Sequence, residues 1–233
     1  MFMNRNGVID ANLSINDVNV ESTDSIKVLG VTLDAKLNFN EHIKNLCNRA
    51  SHQINALKRI SRYLDIDGRL RIYQAFIKSN FTYCPVSWIF CGKRNSDKLE
   101  KLQERALRVV YNEYSMPYRD LLLHARILPL SMLRLKFLGT EVFKSVKGLN
   151  PEFLNEMFQK RNLKYDFRDS NKLHQNDFDT KKFGFKSYKY YGAKLWNALP
   201  PHIKAYGKDD LDIFKEELNK WCFTEQASKL EIV

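Results

Sequence analysis

Apolar positions in this chain change period early, and the change divides it. Val8, Ile9, Ala11, Leu13 and Ile15 lead to a turn at Asn16-Asp17, followed by Val18-Asn-Val20. Then comes the run from Ile26 to Leu33, rich in β-branched residues and apolar on both faces. These segments predict short strands, the last of them with Gly30 inside it. Such a strand wants cover on each side. A hairpin plus one strand is marginal alone, and little else in the sequence reads as strand.

From Asn40 the period becomes helical. Ile43, Leu46, Cys47, Ala50, Ile54, Leu57 and Ile60 follow 3-4 spacing for about five turns, with Asn40 as N-cap. Asp65 or Asp67 starts a second helix that turns Leu70, Tyr73, Phe76 and Ile77 inward. The aromatic stretch Phe81 to Cys91, bounded by Pro85 and Gly92, reads as buried helix-and-turn material. Ser96 or Asp97 caps a helix running to Tyr111. Further helices are expected over Pro117 to His124, Ser131 to Lys147 (closed by Gly148 at C′) and Glu152 to Phe158 behind Pro151. Residues 159–186 lack periodicity and predict a long loop. Tyr188, Tyr191, Leu195 and Trp196 resume the helical spacing up to Pro200-Pro201, and Leu211, Phe214, Leu218 and Trp221 make a last amphipathic helix. The fold class that follows is mainly α, a helical array with a small N-terminal strand region.

Charge sharpens this division. The chain of 233 residues carries a net +11. Residues 1–39 hold three Lys/Arg against five Asp/Glu, whereas residues 40–115 hold fourteen against seven. The basic excess begins where the first helix begins, which points to a polyanionic partner, nucleic acid before membrane. No run of about 18 apolar residues offers a membrane span. The N-terminus lacks the apolar core of a signal peptide. The four cysteines follow no metal spacing and read as free thiols of a reducing compartment. The expected location is intracellular, nucleus or cytoplasm, not secreted.

No catalytic constellation is visible. There is no glycine-rich phosphate loop, no HExxH and no GxSxG, and the five histidines are scattered. Asp209-Asp210 is a tempting pair, but Tyr206 stands too far before it for a polymerase-type metal turn, and a helical run follows at once. A helix cap explains the same residues. No catalytic or metal-binding residue is assigned. The clearest signal is instead the helix from Asp97 to Tyr111. Leu99, Leu102, Ala106, Val109 and Val110 share one stripe, and Lys98, Lys101, Arg105 and Arg108 share the next. Cations beside an apolar stripe suit a docked helix that offers its flank to phosphates. A solvated flank with Glu104–Arg108 pairing would use the same residues. Lys58, Arg59, Arg62, Arg69 and Arg71 form a second cluster of candidates.

Five motifs in order carry a resemblance: KVLGVTLDAKLNFNEHI (Lys27 to Ile43), YCPVSW (Tyr83 to Trp88), KLEKLQERALRVVY (Lys98 to Tyr111), GLNPEFL (Gly148 to Leu154) and LWNALPPHIK (Leu195 to Lys204). Together they resemble the region after the palm in non-LTR, LINE-type retrotransposon reverse transcriptases of the jockey/CR1-like sort. The resemblance implies that Leu29 and Gly30 belong to a primer-grip-like hairpin, and that the following helices are thumb and post-thumb. A thumb grips template–primer by its backbone. The implied partner is therefore an RNA/DNA hybrid or duplex, bound with low sequence specificity. The family's metal-binding aspartates lie N-terminal to the primer grip and have no counterpart here, so the Mg²⁺ of the parent polymerase has no expected ligands in this chain. The expected division is a residual palm edge over 1–36, a thumb-like region over 37–158, the loop over 159–186, a C-terminal helical region over 187–223 and a tail over 224–233. The expected function is a non-catalytic C-terminal fragment of an RNA-directed DNA polymerase. The alternatives are a protein-interaction module using Tyr188, Tyr191, Trp196 and Trp221, and part of an intact enzyme whose catalytic region lies outside the sequence.

Overall fold

The computed structural model describes residues 13–20, 23–160, 171–175 and 186–230, and its first elements are two tight hairpins. Strands β1 (Leu13–Ile15) and β2 (Val18–Val20) pair antiparallel around Asn16 and Asp17, both at positive φ. The expected strand residues before Leu13 lie outside the described residues. The run Ile26 to Leu33 is not one strand. It folds into β3 (Ser25–Val28) and β4 (Val31–Asp34), with Val28 opposite Val31. The two-residue connection is Leu29 (φ 46°) and Gly30 (φ 85°). Positive φ at both central residues is the geometry that matches strand twist, and glycine meets it without a Cβ clash. Gly30 is therefore a turn residue, not a mid-strand one.

Asp34 turns the chain from sheet to helix. Its carboxylate accepts the backbone N–H groups of Lys36 (3.1 Å), Asn38 (3.0 Å) and Phe39 (2.6 Å). Helix α1 (Asn40–Ile60) then starts behind Phe39 in a left-handed conformation. Asn40, expected as N-cap, instead accepts a hydrogen bond from the Asn95 side chain at 2.8 Å. A 3₁₀ turn (Ser61–Tyr63) leads to α2 (Ile66–Ile72), capped by Asp65 through the Gly68 N–H at 2.8 Å.

The same rod continues as a π-helical stretch (Tyr73–Lys78) into α3 (Ser79–Thr82). The wider π turn lets Tyr73, Ile77 and Phe81 all face inward at four-residue spacing. It also swings Phe76, expected inside, out to 60% exposure. Turns over 83–92 bury Trp88, Ile89 and Cys91 while leaving Tyr83 exposed. Helix α4 (Lys93–Tyr111) begins four to five residues earlier than the Ser96/Asp97 cap implied. Gly92 at φ 85° starts it, its carbonyl accepting from Asn95 and Ser96 N–H.

The chain divides into two compact units, one through Leu121 and one from Leu122, the division falling inside α5 (Tyr118–Ala125). In the first, the buried face of α1 (Ile43, Leu46, Ala50, Ile54, Leu57) packs on that of α4 (Leu99, Ala106, Leu107, Val110). In the second, α6 (Leu130–Val146) packs on α8 (Tyr188–Ala198) and α10 (Leu211–Trp221). Phe143 stacks on Phe214 with centroids 4.0 Å apart and lies tilted to Trp196 at 6.5 Å. Short helices α7 (Glu152–Asn155) and α9 (Pro201–Lys204) follow prolines, as Pro151 and Pro200-Pro201 require. Gly148 closes α6 at φ 73°. Of the expected loop, residues 161–170 and 176–185 lie outside the described residues; Lys160 and Leu173 form a single antiparallel bridge. The expected tail contains one helical turn, α11 (Glu225–Ser228), which buries Ala227.

Candidate nucleic-acid interface

The site is built from the seam between α1 and α4. Apolar faces at 3-4 spacing press the two helices together, and the residues beside those faces become the two lips of a cleft. Lys58 stands in the last turn of α1. Lys101, Arg105 and Arg108 stand on successive turns of α4. All four line one open cleft of about 280 Å³, with Glu104, Val109 and Tyr114 completing the wall. Lys58, from the second candidate cluster, thus meets three cations of α4 at one place. Lys98 lies one turn earlier on α4 and is exposed.

The cations are held differently. Arg105 is exposed and donates to the Asn55 side chain across the helix seam. Arg108 is half-buried and pairs with Glu104 at 2.7 Å, while its other nitrogen donates to the Met116 carbonyl at 3.1 Å. The Glu104–Arg108 pairing that spacing allowed is therefore made, and Arg108 also fixes the chain after α4. Lys58 and Lys101 are exposed. Arg69 reaches toward the same place from α2, donating to the Val109 carbonyl at 3.4 Å. Arg62 lies over the Tyr63 ring at 4.7 Å. Arg59 and Arg71 are exposed on the last turns of α1 and α2.

Tyr114 is the residue that sequence reasoning missed. Glu113 organises the turn that carries it, accepting from Ser115 N–H (2.7 Å), Ser115 hydroxyl (2.6 Å) and Met116 N–H (3.1 Å). Those bonds, the hydroxyl's first, hold its carboxyl down to about 2. Tyr114 is left 57% exposed beside the cations. The available signal was its place just past a basic helix, one aromatic in a polar turn. Four cations against one carboxylate, with an exposed ring, can hold phosphates and stack a base or sugar.

Leu29 and Gly30, which the family resemblance places in a primer-grip-like hairpin, sit at the β3–β4 turn. Leu29 is 85% exposed, and its carbonyl accepts from the Tyr83 hydroxyl at 2.5 Å. Among the described residues no three His, Cys, Asp or Glu side chains gather. The Asp210 carboxylate accepts the Gly207 N–H at 2.9 Å in a 3₁₀ turn (Lys208–Asp210) leading into α10. Among the described residues no helix is long and apolar enough to cross a membrane.

Comparison with known proteins adds one relative. Over 124 residues, 50% of this chain, the sequence is 25% identical to the "Probable RNA-directed DNA polymerase from transposon BS" of Drosophila melanogaster. The match spans 14% of that protein's length, so this chain corresponds to a small part of it. No family model matches, and no solved structure matches. The chain is thus distantly similar to a transposon RNA-directed DNA polymerase.

Proposed function

We propose that the cleft between α1 and α4 holds the backbone of duplex or hybrid nucleic acid, and that the chain serves as a non-catalytic, thumb-like part of a LINE-type RNA-directed DNA polymerase. One observation carries this reading: Lys58 of α1 and Lys101, Arg105 and Arg108 of α4 line a single cleft beside the exposed Tyr114. The distant similarity to a transposon polymerase supports the parent activity. In this reading the Leu29-Gly30 turn is the primer-grip-like edge, and Lys98, Arg59, Arg62, Arg69 and Arg71 extend the positive field around the cleft.

Backbone contacts position a duplex without reading it. Binding is therefore indifferent to sequence, with a dissociation constant on the order of 10⁻⁴–10⁻⁶ M at physiological salt. The test is fluorescence anisotropy with labelled RNA/DNA hybrids of unrelated sequence across a salt series. Affinity should fall steeply with salt and alike for each hybrid. The K101E/R105E double variant should bind more weakly and with a shallower salt slope. The K215E/K220E control removes as much charge from α10, where Lys215 pairs with Asp212 and Lys220 with Glu217, and should change little. A flat salt response, or equal losses in both variants, defeats the reading.

The protein-docking alternative would use side chains that this fold mostly turns inward. Tyr191, Trp196 and Trp221 are buried in the second unit, and the Tyr188 hydroxyl lies 3.2 Å from that of Ser145.

A further inference from the structure

The α1–α4 cleft carries a ring that phosphates do not call for. Tyr114 lines it together with Lys58, Lys101, Arg105 and Arg108, and is 57% exposed. Cations and N–H donors are enough to hold a backbone. In a duplex each base turns its edges to the grooves and keeps its faces stacked between neighbours. An aromatic side chain meets a base face where that base is unpaired.

The turn that presents the ring is tied down before any ligand arrives. Asn112 closes α4 at φ 50°, and the Glu113 N–H donates to the Arg108 carbonyl at 3.1 Å. The Arg108 guanidinium donates in return to the carbonyls of Glu113 (3.4 Å) and Met116 (3.1 Å). Inside the turn the Glu113 carboxylate accepts from Ser115 and Met116. A segment ordered in this way loses little further freedom on binding. Arg108 also pairs with Glu104 at 2.7 Å. It therefore serves the turn, and the field inside the cleft comes mainly from Lys58, Lys101 and Arg105.

Their placement suits one strand. Lys101 and Arg105 stand at i and i+4 of α4, about 6 Å apart along the axis, in reach of neighbouring phosphates. Lys58 lines the cleft from the last turn of α1. The space is about 280 Å³, at the lower edge of the roughly 300–1,000 Å³ typical of small-molecule sites. A single nucleotide fits such room, whereas a duplex can only rest across its mouth.

We propose that the cleft takes an unpaired nucleotide of single-stranded nucleic acid, its base stacked on the Tyr114 ring and its flanking phosphates on Lys101 and Arg105, with Lys58 across the seam. This deepens the function proposed above and rests on it, since the same cations hold paired and unpaired strands. Every base has a face, so stacking leaves binding indifferent to sequence.

The test is fluorescence anisotropy of the whole chain at low salt with three labelled probes: oligothymidylate, an abasic deoxyribose-phosphate strand of the same length, and a blunt RNA/DNA hybrid. The parent chain should bind oligothymidylate tighter than the abasic strand by about fivefold or more, the lower end of what one base–aromatic stack contributes. Y114A should lose that difference, and its loss on oligothymidylate should exceed its loss on the hybrid by about the same factor. Y114F keeps the ring and should keep the difference. K101E/R105E should weaken binding of all three probes. Parent-like binding of all three by K101E/R105E removes the cleft, and this inference with it. With the cleft standing, four results overturn the stacking assignment alone: equal binding of both strands by the parent chain, a difference that survives in Y114A, a loss in Y114F as large as in Y114A, or equal losses of strand and hybrid in Y114A.

Discussion

The Asp34 carboxylate accepts the Phe39 backbone N–H at 2.6 Å, and this bond sets where sheet becomes helix. Its other oxygen takes Lys36 and Asn38, so one side chain satisfies three N–H groups that neither β4 nor α1 can use. Hydrogen bonds to a charged acceptor contribute roughly 1.5–3 kcal/mol each in general, and they share one carboxylate here. Replacing Asp34 by Ala should lower stability by about 2–4 kcal/mol. Urea unfolding followed by circular dichroism measures it. A loss within about 0.5 kcal/mol, the range of ordinary surface changes, would show that water replaces these contacts without penalty.

Tyr83 does for the hairpin what Asp34 does for the connection. Its hydroxyl holds the carbonyl of Leu29, a non-glycine residue at positive φ, while the ring lies 3.4 Å from where a Cβ on Gly30 would stand. The hairpin has few other anchors, since Ile26, Val28 and Leu29 are exposed. Y83F should leave the helices intact and raise the rate of proteolytic cleavage within residues 23–34. Mass spectrometry of limited digests reads this directly. Cleavage unchanged in the variant would assign the anchoring to Val31 and Thr32, which are buried.

Much of this was legible in the chain. The 3-4 spacing of Ile43 through Leu57 and of Leu99 through Val110 gave both seam helices, because burial on one face is a local pattern. Starts and ends were less legible. Gly92 begins α4 and Phe39 begins α1, each through backbone geometry that side-chain preference does not report. The strand from Ile26 to Leu33 misled because its apolar, β-branched run continues through the turn, and only Leu29-Gly30 at positive φ breaks it. Of the candidate site, the cations were visible as a stripe. That Lys58 joins Lys101 and Arg105 depends on helix packing, which spacing along one helix cannot show.

Packing in the second unit makes a sharper demand on one glycine. A Cβ at Gly192 in α8 would come within 2.8 Å of both Val142 Cγ2 and Phe158 Cζ. In an exposed helix, glycine to alanine gains about 1 kcal/mol through propensity. Here overpacking opposes it, typically by 1–3 kcal/mol. Gly192→Ala should therefore be neutral to destabilising, by up to about 2 kcal/mol. Pairing it with V142A should recover part of the loss, because the smaller neighbour removes one of the two close approaches. A gain in melting temperature for Gly192→Ala alone would mean that α8 and α6 separate more easily than their side chains suggest.

The buried His42 ring also makes stability depend on pH in a definite direction. Its folded-state pKa lies below the ordinary 6.5, first through burial and then through the Arg49 charge. Above pH 6.5 the ring is neutral whether folded or unfolded, and it exerts no pH effect. As pH falls below 6.5, the unfolded chain takes up a proton that the folded chain refuses, and stability declines. The decline ends only once pH passes the folded-state value, and its slope for one group is at most about 1.4 kcal/mol per pH unit. The groups facing the ring are the Thr32 N–H from β4, the Arg49 charge from α1 and the Trp88 ring, 6.0 Å away between centroids. None is an anion that could hold the protonated form. The difference in unfolding free energy between pH 7.5 and pH 5.5 should accordingly be smaller in H42N than in the parent chain, the carboxylates and the other histidines being common to both. An identical pH dependence in the two proteins would show that His42 takes up its proton as readily inside the fold as outside it.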